Sequence, residues 1–127
     1  MTNTTTQKRE VRVGSWEPDE TFLGGIVRFT GEELGSLTEW PEGHGEHRVK
    51  TYTLYRTPDG RYRIHVERWS RWCGEGTKAW LEPTVAAEDI GPEETLPVYE
   101  TYSEAQARAR YPKLFASLGM PNVRDLD

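Results

Sequence analysis

Residues 50–69 read KTYTLYRTPDGRYRIHVERW, two runs of alternating polar and apolar side chains joined by Thr57-Pro58-Asp59-Gly60. Alternation with a period of two marks a strand with one buried face. The junction has turn chemistry at each position. Pro58 pre-sets φ, Asp59 caps the turn through its side chain, and Gly60 takes the left-handed conformation that closes it. With Thr57 opposite Arg61, the pairs Arg56–Tyr62, Leu54–Ile64 and Tyr52–Val66 share one face. Tyr55–Arg63, Thr53–His65 and Thr51–Glu67 share the other. The first face is apolar and is expected in the core. The second is a row of rings and charges, expected to stand open to solvent, so Ile64→Ala should be costly and His65→Ala nearly free.

Working outward, residues 10–16 (EVRVGSW) alternate through Val11 and Val13 and predict a short first strand, broken by Glu17-Pro18-Asp19-Glu20. Residues 23–29 predict a second strand, with β propensity from Ile26, Val27 and Phe29. Thr30-Gly31-Glu32-Glu33 reads as a turn and residues 34–40 as a weaker strand. Residues 41–47 (PEGHGEH) form a polar, turn-rich loop. Beyond the hairpin, Cys73-Gly74-Glu75-Gly76 predicts another turn, and a strand resumes over residues 77–85.

The last third changes character. Residues 86–97 are acidic and hold Pro92 and Pro97, which predicts a connector with one helical turn, followed by an extended stretch at 98–101. Ser103-Glu104-Ala105-Gln106 has capping-box spacing, so a helix starts there and runs to Pro112. Pro112 suits the first position of a second short helix over 113–118, and Gly119-Met120-Pro121 stops it. The expected fold is α+β: an antiparallel sheet of about five strands with a C-terminal helical segment packed on one face. Residues 1–9 are expected as a flexible tail and residues 10–127 as a single domain.

With 127 residues the chain is long enough to bury one core without staples. A single cysteine, Cys73, excludes an internal disulfide framework and suits a reducing cytosol. The N-terminal stretch has no apolar run, so neither a signal peptide nor a membrane span is expected. The net charge of −5 conceals a segregation. Residues 48–78 hold eight basic side chains (Arg48, Lys50, Arg56, Arg61, Arg63, Arg68, Arg71, Lys78) against three acidic ones, whereas both flanks are acidic. Either the flanks neutralise the basic hairpin within the fold, or the hairpin presents a patch to an anionic partner.

Candidate chemistry is sparse. His44 and His47 have H-x-x-H spacing in a glycine-rich loop, but no helical or paired-cysteine spacing completes a metal set. Arg71, two residues before Cys73, would favour its thiolate, and His65 lies upstream, yet a lone cysteine is usually an apolar filler. His65 and Glu67, two apart on a strand, share a face at roughly 7 Å, too far for a hydrogen-bonded acid–base pair. Trp69, Trp72 and Trp80 are expected in the core. Tyr55, Arg61, Arg63, His65 and Trp69, with Glu67 beside them, form the strongest binding constellation. Rings interleaved with cations on an open sheet stack bases and contact phosphates, although Tyr55–Arg63 also suits cation–π stabilisation of a hairpin.

Arg28-Phe29-Thr30-Gly31, Tyr55-Arg56-Thr57 with Gly60-Arg61, and the terminal Leu126-Asp127 resemble the EXLDI family of small bacterial proteins of unknown function. The chain departs from that pattern where Arg124 stands for the family's terminal Glu, and it ends before the family's Ile. The resemblance implies no catalytic residue and no cofactor. The leading expectation is a non-catalytic cytosolic domain that binds another protein as a regulator or inhibitor. One alternative is single-stranded nucleic-acid binding through the Tyr55/Arg63/His65/Trp69 face. Another is a small enzyme or ligand-binding protein with a Trp/Tyr-lined pocket between sheet and helix, rimmed by His65, Glu67 and Cys73. No metal and no membrane association is expected.

Overall fold

Alternating runs linked by short turns pair with their neighbours in sequence, and the computed structural model of the chain follows that rule. It describes residues 6–17, 21–40, 47–70, 76–91, 93 and 96–121. Strands β1 (Thr6–Trp16), β2 (Phe22–Glu39), β3 (Arg48–Arg56), β4 (Tyr62–Ser70) and β5 (Thr77–Glu82) form an antiparallel meander. β5 returns to β1 through Gly14–Trp16 opposite Ala79–Thr77, so the five-stranded sheet closes into a barrel. A second, two-stranded sheet joins β6 (Thr84–Val85) to β7 (Val98–Tyr99), with the helical turn α1 (Ala87–Ile90) between them. Helices α2 (Glu104–Arg110) and α3 (Pro112–Ser117) complete the α+β fold.

The hairpin has the register its turn chemistry implies. Arg56 faces Tyr62, Leu54 faces Ile64, Tyr52 faces Val66, and the intervening pairs fall on the opposite face. Gly60 donates to the Thr57 carbonyl at 2.9 Å with φ +80°, and the Thr57 hydroxyl donates to the Asp59 carboxylate. Leu54, Ile64 and Val66 are fully buried. They pack beneath Ala107, Leu114 and Phe115 of the helices, with Tyr62 edge-on to Phe115 at 5.4 Å. Each such aliphatic or aromatic side chain contributes about 1.5–3 kcal/mol by leaving water. The helix signals also hold. Ser103 and Gln106 exchange both bonds of the capping box, Pro112 opens α3, and Gly119 ends it with φ +71°. Met120 then folds back against the core.

The strand expected over residues 77–85 is split between the two sheets, as β5 and β6, and two further features differ from expectation. β1 begins at Thr6, so residues 6–9 pair with β2 rather than trailing as a tail, and Arg9 Nε donates to the Gly31 carbonyl at 3.0 Å. The expected turn at Thr30-Gly31-Glu32-Glu33 does not form. These residues stay extended because β1 pairs with them through Glu32, and β3 takes up the pairing at Glu32 and Glu33. The chain bends just beyond, at a bulge between Glu33 and Gly35. Gly35 has φ +143°, and its missing Cβ leaves room for the Leu118 side chain. That bend hands β2 from β1 to β3 and allows so few strands to close.

Closure changes the meaning of the two hairpin faces. The apolar face is the outside of the barrel, covered by the helices. The face expected to be open is the inside, because a sheet closed on itself has no second outer surface. Val11, Phe29, Tyr55 and Leu81 form a separate buried cluster there.

Candidate functional site

Four of the predicted binding residues, Tyr55, Arg63, His65 and Glu67, line the inner face or its ends. Tyr55 is buried, with its ring edge-on to Phe29 at 5.0 Å and its hydroxyl donating to Glu33 at 3.4 Å. Burial, aided by the Glu33 charge, pushes its pKa up to about 12. His65 is only 8% exposed, and its Nε2 lies 2.8 Å from the Arg12 carbonyl of β1. A carbonyl only accepts, so Nε2 carries the proton. Continuing the β1–β5 register two residues past Gly14 would set Arg12 opposite Leu81, but the paired stretch ends at Gly14. His65 thus serves the Arg12 carbonyl where β5 does not. Tyr55, His65 and Glu67 share a cavity of about 320 Å³ with Thr51, Thr53 and Arg12.

Arg63, at one end of that face, and the two remaining members, Arg61 and Trp69, make their contacts elsewhere. The Arg63 guanidinium lies 5.4 Å from the Phe29 ring centroid, and Nη1 donates to the Glu100 carbonyl at 2.6 Å. Its Nε is buried without a partner among the described residues, and burial lowers the guanidinium pKa. Arg61 reaches the Thr101 hydroxyl at 2.6 Å and the Thr101 carbonyl at 3.0 Å. Trp69 is half-buried, edge-on to the exposed Trp40 at 5.9 Å. The expected base-stacking platform is therefore not a free surface: its rings and cations are occupied in holding the barrel and its C-terminal strap together. His44, Trp72 and Cys73 lie outside the described residues. Among those described, no group of three or more His, Cys, Asp or Glu is placed to hold a metal ion.

The outer face carries a constellation that sequence reading missed. Lys50 of β3 faces Arg68 of β4, and Arg68 faces Lys78 of β5. One cross-strand row therefore presents three cations, with Lys50 and Lys78 exposed and Arg68 half-buried. Glu39 of β2 stands next in the row. Its carboxylate is taken by the Tyr52 hydroxyl and lies 4.0 Å from Lys113 Nζ. Among the described residues none of the three cations has an ion pair. The other central cations do find partners: Arg56 pairs with Glu32 at 2.8 Å, and Arg61 and Arg63 with C-terminal oxygens. The next row, Leu37–Tyr52–Val66–Trp80, lays two half-buried rings beside the cations. The hairpin register already implied Lys50 opposite Arg68. Lys78 joins them only through the pairing of β5.

No protein-family model, curated protein or solved structure matches the chain. No described helix is long and apolar enough to cross a membrane.

Proposed function

We propose that the chain is a non-catalytic cytosolic recognition module that binds an acidic segment of another protein across the Lys50–Arg68–Lys78 row. The unpaired row is the observation that carries this reading. Neighbouring strands lie about 4.8 Å apart, and like charges directly opposite one another destabilise a sheet. An anionic partner relieves that repulsion, and carboxylates match both ammonium and guanidinium groups. The patch is small and sits on a chain of net charge −5. A nucleic acid extends its phosphates over the acidic surroundings and is repelled there, whereas a protein segment places a few carboxylates on the patch alone.

Calorimetric titration of the full chain with an oligoglutamate peptide, and separately with oligothymidylate, tests the proposal. The expected result is saturable, salt-sensitive binding of oligoglutamate that the triple variant Lys50→Glu/Arg68→Glu/Lys78→Glu abolishes. Tighter binding of oligothymidylate would favour the nucleic-acid reading instead. Oligoglutamate binding that survives the triple variant would remove the row from the site.

A further inference from the structure

Where β1 and β5 part company, the barrel wall opens into a cleft of about 650 Å³. We propose that this cleft is a binding site for a small planar aromatic carboxylate. This inference goes beyond the macromolecular reading above and does not depend on it.

The floor is backbone. Gly14, Gly24 and Gly25 line the cleft from β1 and β2, and a Cβ built on Gly25 would meet no atom within 4 Å. A flat ligand can therefore approach the strands without displacing side chains. The walls are aromatic and already held in place. Trp80 Nε1 donates to Glu82 Oε1 at 3.0 Å, and the Tyr102 hydroxyl donates to Glu82 Oε2 at 3.4 Å. Tyr102 is further fixed by paired backbone bonds with Tyr62, each 2.9 Å long. One carboxylate thus orients two rings toward the same opening, and both of its oxygens are engaged in doing so. Rings fixed before binding lose little freedom when a ligand stacks on them.

The remaining charge is Arg110, at the last position of α2. It is exposed, it lines the cleft, and its guanidinium carbon lies 5.6 Å from the Tyr102 ring centroid. Among the described residues it makes no ion pair. A guanidinium presents a planar fork of donors that matches a carboxylate with two parallel bonds. Aromatic walls, a side-chain-free floor and a rim guanidinium that hydrogen-bonds to the Tyr102 hydroxyl but, among the described residues, has no ion pair are complementary to a ring that carries an acid. The cleft volume lies within the range usual for small-molecule sites, about 300–1,000 Å³.

The test uses naphthoate, the neutral naphthamide and the cationic naphthylmethylammonium as probes of the full chain. Binding is followed by NMR through the Trp80 indole N–H resonance, assigned with Trp80→Phe. Naphthoate should shift that resonance saturably and bind at least about tenfold more tightly than naphthamide, the value of one charge-assisted bond. Arg110→Ala should erase the preference for acid over amide while leaving weak stacking of both. Gly25→Phe should block all three probes with the melting temperature retained, because the new ring enters open space. Three results would overturn the proposal: no saturable shift with naphthoate, an acid preference that persists in Arg110→Ala, or tightest binding by the ammonium probe.

Discussion

Replacing Gly24 with alanine is expected to be among the most damaging single-methyl changes in this protein, while the same change at Gly25 is expected to be harmless. Gly24 faces Gly14 across the β1–β2 ladder, and Gly14 in turn faces Ala79 of β5. A Cβ on Gly24 would lie 2.8 Å from the Gly14 Cα and would also strike the Val13 carbonyl oxygen. Both obstacles are backbone, so no rotamer change removes them and the strands themselves must separate. Overpacking of this kind costs about 1–3 kcal/mol. Separation also weakens neighbouring ladder hydrogen bonds, each worth about 1 kcal/mol. The expected loss is therefore about 2–5 kcal/mol, much of the stability of a domain this size. At Gly25 the added methyl meets nothing, and fewer unfolded conformations give a change between neutral and about 1 kcal/mol of stabilisation. Urea unfolding measures both, read as a shift in midpoint at constant slope. Equal midpoints for Gly24→Ala and Gly25→Ala would refute the close crossing of β1 and β2, and with it the geometry that closes the barrel.

Three further outcomes are expected. His65→Ala should cost about 1–3 kcal/mol in the same assay, because it strips the Arg12 carbonyl of its donor inside the barrel; a cost below about 0.5 kcal/mol would match an open-face histidine instead. Arg68→Gln should raise stability by a few tenths of a kcal/mol by relieving the row, and a clear loss would mean that Arg68 has an attractive partner. Tyr52 and Tyr55 both have pKa values pushed up to about 12 from 10.0, each chiefly by burial. Since the folded state holds these protons more tightly, stability is intact below pH 10 and falls as the pH rises toward 12. Phenolate absorbance of the folded chain should lag that of the unfolded chain through this window, and coincident curves would contradict the burial.

The hairpin was legible because everything that sets its register is local. The turn residues fix which pairs meet, and alternation fixes which pairs share a face. The helix ends were legible for the same reason, with Ser103, Gln106, Pro112 and Gly119 each satisfying or ending a specific turn. Closure was not legible. It rests on three pairs between residues distant in the chain, with glycines and an alanine at the crossing whose role is to be absent. Once the sheet closes, a polar alternation that would otherwise signal exposure becomes an interior satisfied by its own partners, His65 to Arg12 and Tyr55 to Glu33. Thr30-Gly31 misled for a related reason. Pairing with β1 through Glu32 outweighs local turn propensity, and the bend moves to the bulge between Glu33 and Gly35. The site candidates drawn from the hairpin's polar face shared this fate, whereas the cations of the opposite face required the register of β5.

The three-pair seam between β1 and β5 also has a bearing on the order in which the protein folds. The β3–β4 hairpin joins residues close in sequence and loses little chain entropy on forming. The seam joins Gly14 to Ala79 and is the most entropically expensive of the barrel's five ladders, yet it has the fewest pairs among them to offset that cost. The rate-limiting ensemble should then contain a formed hairpin with its helical cover and an unclosed β1. Alanine at Ile64 would slow folding, whereas alanine at Gly24 would leave the folding rate largely unchanged and speed unfolding. In such a chain the seam opens first, and the cleft beside it sits on the boundary that yields earliest.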